Sequence, residues 1–302
     1  MLLVEFMDTE IWFAIDHRTS ECGFVAVASL LRHRPTGSST KIRVAYVKGE
    51  MPPATWWEYK LSLLGFHADL QQVEIDVDCF LNCKGLFDSH AAYLRLVLPH
   101  YSQSDLMIYS DADVIFQDDI EGLLREVNLS KASIAMVRAG ECGKQPEKEF
   151  ELLKMNEKSE KSDYFFSGLA VIDNQKYKKQ KILEKCAVLS EAFPSHLIFH
   201  DQTLWNTSNS IIEHISMKWS LLAFPGDKKQ ETMSSSIIHF MGSPKPWDLG
   251  AEILHPYADI WNEATAVAGL AFPKFRKYFQ AYSWKRAWRI RRQYSVWKPI
   301  FR

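Results

Sequence analysis

The chain has 302 residues, of which 47% are hydrophobic and 13% aromatic. This composition provides apolar surface for a large core and excludes an intrinsically disordered protein. The net charge of −1 hides an asymmetry, because residues 274–302 carry ten Lys or Arg and no Asp or Glu, whereas the remainder carries 26 basic and 37 acidic residues, a net charge of −11.

Strands and helices alternate through the first part of the chain. Short apolar runs or alternating apolar residues predict strands, and apolar residues at helical spacing predict helices. The predicted strands span 11–15, 41–48 and 70–75, and the predicted helices span 22–34, 52–64 and 90–98. This order predicts an α/β fold with a mostly parallel sheet covered by helices on both faces.

The second part of the chain continues with shorter elements. Further predicted strands span 133–137, 164–172, 221–224 and 236–240, and predicted helices span 118–129 and 174–193, with another beginning at His200. Residues 140–163 are rich in Lys and Glu and have little apolar periodicity. We therefore predict an exposed excursion there, in the role of a lid or an acceptor loop, with its charges in solvent.

One strand ends in two carboxylates. Residues 106–109 form an apolar run that resumes at 114–116, and Asp111 and Asp113 stand between the two parts. In an extended segment both side chains would lie on one face, where two anions need a cation between them. A divalent metal at the carboxyl end of a parallel strand would meet that need. The alternative is a chance Asp-x-Asp pair in a solvated turn.

A histidine, like the aspartate pair, follows a short apolar run. His239 follows an apolar run and precedes a loop containing Gly242 and Lys245. Two carboxylates and an imidazole suit Mn²⁺, with Mg²⁺ as the alternative. Gly242 would let the backbone approach a diphosphate, and Lys245 would supply a cation. The alternative for His239 is a hydrogen-bonded core histidine, and the alternative for Lys245 is an ordinary surface lysine.

Five motifs stand out in this chain: HAAYLRLVLP at 90–99, IYSDADVI at 108–115, YFFSGLAVID at 164–173, HDQ at 200–202 and HFMGSPKPW at 239–247. Together these motifs resemble glycosyltransferase family 8, which includes bacterial lipopolysaccharide galactosyl- and glucosyltransferases and glycogenin. They occur in the family's order and cover roughly residues 10–250. The resemblance implies a GT-A fold, a UDP-sugar donor, Mn²⁺ and transfer with retention of the anomeric configuration.

The resemblance also implies donor-binding roles for individual residues. Asp111 and Asp113 would bind the metal together with His239, and Asp111 would also lie near the ribose. Asp16, after the first strand, would contact the uracil. Arg95, within the first motif, would contact the donor sugar and the phosphate.

The remaining implied roles concern the reaction itself. Gly242 and Lys245 would bind the departing diphosphate, Asp201 would hold sugar hydroxyls, and Gln202 would lie on the sugar face opposite the leaving group. Because Gln202 is a poor nucleophile, we favour attack by the acceptor hydroxyl on the face from which UDP leaves. A double displacement through Asp201 is the alternative.

Four positions depart from the family pattern. Phe166 stands where an Asn is common, and Thr203 stands where a second Asp is frequent. These departures leave the donor sugar open. Arg18 and Thr19 replace the Asn and Tyr that usually serve the nucleotide, so either the stacking on the base differs or another residue supplies it.

The basic end of the chain is predicted to be a separate region. We divide the chain into a GT-A domain, residues 1–255, and a helical basic and aromatic extension, residues 256–302. In residues 272–302, aromatic residues at helical spacing accompany the basic ones, which suits an anionic membrane surface. Packing of this segment on the acidic body is the alternative, and nucleic acid is disfavoured.

The cysteines and the chain start predict location. Cys22, Cys79, Cys83, Cys142 and Cys186 are scattered without metal-ribbon spacing, which predicts reduced thiols. We see neither a signal peptide nor a membrane anchor. We therefore expect a cytoplasmic protein, peripheral on the inner face of the membrane.

The sequence thus predicts a metal-dependent hexosyltransferase in lipopolysaccharide or capsule synthesis. Its donor would be UDP-galactose or UDP-glucose, and its acceptor a saccharide or a lipid-linked saccharide. Two other functions fit: a self-glycosylating initiator resembling glycogenin, and a catalytically silent module that binds glycan or membrane. The linkage position and the oligomeric state stay open.

Overall fold

The computed structural model describes residues 9–35, 37–50, 57–86, 89–209, 211–229, 235–242, 245–248 and 255–269. Within these ranges the strands are β1 (Thr9–Ala14), β2 (Lys41–Val47), β3 (Leu70–Ile75), β4 (Leu106–Ser110), β5 (Val114–Phe116), β6 (Ile134–Glu141), β7 (Asp163–Asp173), β8 (Glu213–Ile215), β9 (Leu221–Ala223) and β10 (Ile237–Phe240). The helices are α1 (Ser20–Arg32), α2 (Trp57–Leu63), α3 (Leu94–Tyr101), α4 (Glu121–Glu126), α5 (Glu147–Met155), α6 (Asn174–Lys179), α7 (Ile182–Ala192), α8 (Asp201–Ser208) and α9 (Ala258–Val267).

Two sheets organise these elements. The larger sheet has seven strands in the order β3-β2-β1-β4-β7-β6-β8, and the smaller has the order β5-β10-β9. Strands β3, β2, β1 and β4 are parallel, whereas β7 is antiparallel to both of its neighbours. The predicted mostly parallel sheet is therefore confirmed.

Apolar side chains cover both faces of the larger sheet. On β1, Ile11 and Phe13 pack in one cluster with Phe24 of α1, whereas Trp12 packs in another with Leu98 of α3. Successive strand residues point to opposite faces, so one strand supplies both clusters. Burying a side chain such as Phe13 stabilises the fold by about 2 kcal/mol. Helices on both faces were predicted from the alternation and are present.

The segment predicted as one interrupted strand is two strands in different sheets. Strand β4 ends at Ser110 in the larger sheet, and β5 pairs with β10 in the smaller one. Between them, the Asp111 amide donates to the Gly168 carbonyl at 2.8 Å, and the Phe240 amide donates to the Asp113 carbonyl at 3.0 Å. The two aspartates therefore lie in a crossing between sheets, and not in one extended strand.

The prediction of an exposed excursion at 140–163 was wrong for its central part. Helix α5 lies within it and buries Glu149, Leu152 and Leu153. Leu153 packs with Tyr164 of β7, which joins the helix to the sheet. The apolar residues were too few to reveal this face against the charged background.

Two further predictions about helices and strands need correction. The predicted helix at 174–193 is divided into α6 and α7 at Lys181, which has φ +55° in the left-handed region. Strand β8, at the edge of the larger sheet, was not predicted. Three residues are too short a run to stand out from a loop.

The end of the described chain packs on the body. Trp261 of α9 is buried, with its ring 5.6 Å from that of Phe240 and 4.5 Å from that of Trp247. The predicted boundary at residue 255 stays a prediction, and the basic segment 272–302 lies outside the described residues. Within the described ranges, no helix has both the length and the apolar character needed to cross a membrane. All five cysteines are free thiols, as predicted.

Candidate active site

Strand ends converge on one cleft. Asp111 follows β4, and the crossing into β5 carries Asp113 to the neighbouring sheet, where Val114 pairs with His239 of β10. The local order of strand, short polar crossing and strand thus places the two carboxylates beside the imidazole. Crevices at the carboxyl ends of parallel strands are where such sheets bind ligands.

Asp111, Asp113 and His239 form a compact cluster. Their ligand atoms all lie within 4.8 Å of one another. His239 Nε2 lies 3.1 Å from Asp113 Oδ1 and 3.5 Å from Asp111 Oδ2. Two carboxylates and an imidazole are a donor set that divalent first-row metals accept. The sequence prediction that these three residues lie together agrees with this geometry.

A glycine leaves the room that the cluster needs. A Cβ atom at Gly168 would lie 2.2 Å from His239 Cε1 and 2.7 Å from Asp111 Oδ2. Both distances are far inside van der Waals contact, so any other residue would displace the ligand side chains. The cradle therefore fits a divalent cation, and Gly168 on β7 is part of it.

Lys245 adds a positive charge to the cluster. Its Nζ donates to Asp113 Oδ2 and to the Phe240 carbonyl. Burial alone would raise the pKa of Asp113, but Lys245 and His239 overcome this and hold that pKa well below its usual range. Asp113 is therefore ionised at neutral pH. The structure brings Lys245 to Asp113, one of the predicted metal ligands, and its contact with a diphosphate stays a prediction.

Arg95 of α3 connects two carboxylates across the cleft. Its Nη2 lies 2.8 Å from Asp111 Oδ1, and its Nε lies 3.1 Å from Asp201 Oδ2. Its Nη1 also donates to Ser167 Oγ at 2.7 Å. The guanidinium lies 4.6 Å from the centroid of the Tyr109 ring, whose hydroxyl donates to Asp111 at 2.6 Å. Arg95 is thus held on every side in one orientation.

Asp201 stands at the first turn of α8 and is almost fully buried. Burial raises the pKa of its carboxyl to about 6, although the Arg95 guanidinium opposes the rise. Ser167 Oγ donates to Asp201 Oδ2 at 2.9 Å. The residue before it, His200, has φ +52° and ψ −119°, a conformation rarely adopted by non-glycine residues. The turn into α8 is therefore strained beside the cleft.

Gln202 faces the same region one residue later. Its Oε1 accepts from the Ser167 amide at 3.3 Å, and its Nε2 donates to the Tyr164 hydroxyl at 3.3 Å. Ser167 therefore contacts Arg95, Asp201 and Gln202 at once. The structure brings together both residues of the predicted Asp-Gln pair.

The remaining predicted residues lie around this centre. Asp16 follows β1, and its Oδ1 accepts from the amides of Arg18 and Thr19 at 2.9 and 2.8 Å, which closes the turn into α1. Asp16 is thus tied to its own turn, and its contact with uracil stays a prediction. Gly242 has φ +65°, a left-handed conformation that glycine adopts without strain.

Sequence reasoning missed several residues of this site. Ser167 and Tyr109 lie inside the motifs that were recognised, yet neither was assigned a role. Tyr109 stands two residues before Asp111, and this spacing could have indicated that the two side chains share a face. Ser167 directly precedes Gly168, which leaves room for His239 and Asp111. For Glu149 of α5 no feature of the sequence indicated a role, because the residue belongs to a charged run that resembled a solvent-facing surface.

Comparison with protein families places most of the chain in one group. Residues 11–250 match the model of glycosyl transferase family 8. General stress protein A of Bacillus subtilis (strain 168) is 26% identical over 246 residues, which cover 72% of this chain and 80% of that protein. Lipopolysaccharide 1,2-glucosyltransferase of Escherichia coli (strain K12) is 27% identical over 154 residues, which cover 47% of this chain and 44% of that protein.

Solved structures show the same fold. The galactosyltransferase LgtC, crystallised with donor and acceptor sugar analogues, superposes with a TM-score of 0.67 at 17% identity and covers 86% of this chain and 95% of its own. The bifunctional glycosyltransferase WbbM superposes with a TM-score of 0.66 at 19% identity, over 88% of this chain and 51% of its own. The architecture is therefore that of GT-A glycosyltransferases.

Proposed function

The chain belongs to glycosyl transferase family 8, and from this membership we propose that it transfers galactose or glucose from a UDP-sugar to a saccharide of a bacterial surface glycan. The observation that carries the proposal is the cluster of Asp111, Asp113 and His239 beside Arg95. The similarity of the chain to a lipopolysaccharide glucosyltransferase supports lipopolysaccharide or capsule as the product class. A lipid-linked saccharide is the alternative form of the acceptor.

The cluster would hold Mn²⁺, with Mg²⁺ as the alternative. The imidazole favours Mn²⁺, because Mg²⁺ prefers oxygen ligands. The bound cation would neutralise the charge that grows on the diphosphate as it departs. Asp111 and Asp113 would bind it through carboxylate oxygens, and His239 through Nε2.

Several side chains would act on the donor directly. Lys245 would contact the departing diphosphate, beside the turn that Gly242 permits. Arg95 would hold the donor sugar and phosphate, since its guanidinium is already fixed between Asp111 and Asp201. A group oriented before the reaction stabilises developing charge without reorganisation.

The surroundings of Asp201 support a front-face substitution. Its carboxylate is buried and engaged by Arg95 and Ser167, so it is poorly placed to attack an anomeric carbon. We propose that the acceptor hydroxyl oxygen bonds to the anomeric carbon on the face from which UDP leaves. The hydroxyl proton passes to the phosphate oxygen that is released, and the configuration is retained.

We also propose, from sequence alone, that residues 272–302 bind anionic lipid and hold the protein at the inner face of the membrane. The test compares sedimentation of the full chain with phosphatidylglycerol and phosphatidylcholine vesicles. Selective binding that is lost in Arg291→Glu/Arg292→Glu would support the proposal. Equal binding to both vesicles, or no binding, would overturn it.

The enzymatic proposal is tested by release of UDP from UDP-galactose and UDP-glucose, with Mn²⁺ or EDTA. Release from one sugar that requires the metal would support the proposal and identify the donor. Absence of release, together with absence of metal-dependent UDP binding by calorimetry, would overturn it and favour the catalytically silent module. A ladder of hexose masses on the chain itself would favour the self-glycosylating initiator.

A further inference from the structure

Helix α5 buries a carboxyl group that no role in donor binding explains. Glu149 is 0% exposed, although it stands on a helix whose neighbouring charges face solvent. Its Oε1 accepts from the Tyr164 hydroxyl at 2.5 Å and from Thr203 Oγ1 at 2.7 Å. Its Oε2 has no hydrogen-bond partner among the described residues. Burial of a half-satisfied carboxyl is costly, so an apolar residue would fill this space more stably.

The two partners of Glu149 lead to the cleft. Tyr164 begins the buried part of β7 and accepts from Gln202 Nε2 at 3.3 Å. Thr203 follows Gln202 on α8 and is fully buried. Glu149 therefore contacts the residue after Gln202 directly, and reaches the Gln202 amide through one hydroxyl.

This arrangement determines which way the Gln202 amide faces. The Ser167 backbone amide can only donate, so the Gln202 oxygen must face it. The Tyr164 hydroxyl directs its proton to Glu149, so it can only accept from the Gln202 nitrogen. With both ends specified, a 180° rotation of the amide would place donor against donor and acceptor against acceptor.

The rest of α8 is fixed by other contacts. Asn206, one helical turn after Gln202, accepts from the Phe165 amide at 2.9 Å and donates to the Phe165 carbonyl at 2.8 Å. These bonds hold the helix backbone against β7. Glu149 adds the hydrogen bond from Thr203 Oγ1 to these helix contacts, whereas its link to the Gln202 amide runs through the Tyr164 hydroxyl.

We propose that Glu149 is a positioning residue that, through the Tyr164 hydroxyl, holds the Gln202 amide with its oxygen toward Ser167 and the sugar site. The inference rests on the proposed function and on the role that the family resemblance implies for Gln202, which is to face the donor sugar opposite the leaving group. There the electron-rich oxygen stabilises positive charge at the anomeric carbon, whereas the NH₂ group would oppose it.

The same contacts account for Thr203, where the family frequently has Asp. An aspartate at this position would bring a second carboxylate to within hydrogen-bond distance of Glu149. Thr203 instead donates to Glu149 and accepts from the Phe199 amide at 3.1 Å. The departure from the family pattern is therefore matched to the presence of Glu149.

The decisive variants are Glu149→Leu and Tyr164→Phe. A leucine at 149 removes the acceptor of the Tyr164 hydroxyl, which can then donate to the Gln202 oxygen and favour the rotated amide. We expect kcat to fall by about tenfold with KM for the UDP-sugar within twofold, and the melting temperature not to fall. Glu151→Leu makes the same change on an exposed side chain of α5 and should leave kcat unchanged.

A double-mutant cycle separates positioning from general support. In a Gln202→Ala background, Glu149→Leu should cause no further loss of kcat, because there is no amide to orient. An equal loss in both backgrounds, or a loss that follows the melting temperature, would overturn the proposal.

A measurement without turnover distinguishes failure of this inference from failure of the proposed function. In ¹⁵N-glutamine-labelled protein, the side-chain NH₂ resonances of Gln202 are assigned by their absence in Gln202→Ala. Their shift and slow solvent exchange should change in Glu149→Leu and Tyr164→Phe, even if no UDP-sugar is turned over. Unchanged resonances would contradict the positioning role whatever the donor.

Discussion

Two groups of charged residues lie on the same sheet, at opposite ends of its parallel strands. At the amino end, Glu10 Oε2 accepts from Trp12, Ser102 and Gln103 at 2.7–3.1 Å, and Glu10 Oε1 lies 3.3 Å from Arg43 Nε. Each acceptor there faces a donor of the protein itself. That end of the sheet is a closed structural network.

At the carboxyl end the arrangement is different. Oxygens of Asp111 and Asp113 and a nitrogen of His239 face one another within 4.8 Å, and Gly168 keeps the space between them clear. Both ends contain a buried carboxylate and an arginine, so burial and charge alone do not distinguish them. The difference is that only one oxygen of each aspartate meets a side-chain donor here, whereas Asp111 Oδ2 and Asp113 Oδ1 converge with His239 Nε2 on a common point.

The largest effect is expected when one of the converging side chains at the carboxyl end, Asp113, is changed. Asp113→Asn should lower metal-dependent UDP release by about 10³-fold, because a neutral amide neither binds the cation well nor holds Lys245. The matched control is Asp69→Asn, which removes an exposed carboxylate paired with Arg43 at the other end. The rate of UDP release is measured for both variants. Equal losses would show that the two ends of the sheet do not differ in function.

The two arginines offer the next test. Arg95→Lys should reduce kcat/KM by about 10²-fold, because one ammonium cannot bridge Asp111, Asp201 and Ser167 in a fixed geometry. Arg43→Lys should lower the melting temperature while leaving kcat/KM within twofold. Activity that falls to the same extent in Arg43→Lys would show that the two ends are not functionally separate.

The closed network should matter for stability. Glu10→Gln replaces an acceptor of several hydrogen bonds with a group that offers one acceptor and mismatched donors. We expect a loss of about 2 kcal/mol in the free energy of unfolding, with kcat unchanged. Urea denaturation and steady-state kinetics on the same preparation measure both quantities. A Glu10→Gln variant that keeps its stability but has a low kcat would show that Glu10 serves activity and not stability.

The smallest effect is a pH dependence from Asp201. Its pKa in the fold, about 6, lies above the ordinary value of 3.8, so the unfolded chain releases this proton first. The stabilising contribution is full below the ordinary pKa and is lost as pH rises through about 6. In EDTA the free energy of unfolding should therefore fall by about 1 kcal/mol between pH 5 and 6, as linkage predicts. Asp201→Asn should lack this decline, and an identical decline would contradict the assignment.

Periodicity and motif spacing predicted most of this fold. Continuous apolar runs identified β1 and β4, because strands buried on both faces carry few polar interruptions, and alternating Ile42, Val44 and Tyr46 identified β2. The division of residues 106–116 between two sheets was not predictable, since pairing with β10 is a contact between residues more than a hundred positions apart. Sequence patterns report local preference, and this break depends on tertiary pairing.

The candidate site was predicted unevenly for the same reason. Asp111, Asp113 and His239 were found because carboxylates and an imidazole following apolar runs are unusual. The bridge from Arg95 to Asp201 was not foreseen, although both residues had been assigned roles. Glu149 was missed entirely, because in sequence a buried glutamate among surface charges resembles its exposed neighbours.

On the proposed function, Asp111, Asp113 and His239 at the carboxyl end bind one divalent cation together with the nucleotide. Electron paramagnetic resonance of free Mn²⁺, titrated into the protein with and without UDP, measures this directly. We predict one Mn²⁺ per chain, bound more tightly with UDP, lost in Asp113→Asn and unchanged in Glu10→Gln. Binding that survives Asp113→Asn, or that falls equally in Glu10→Gln, would contradict the account.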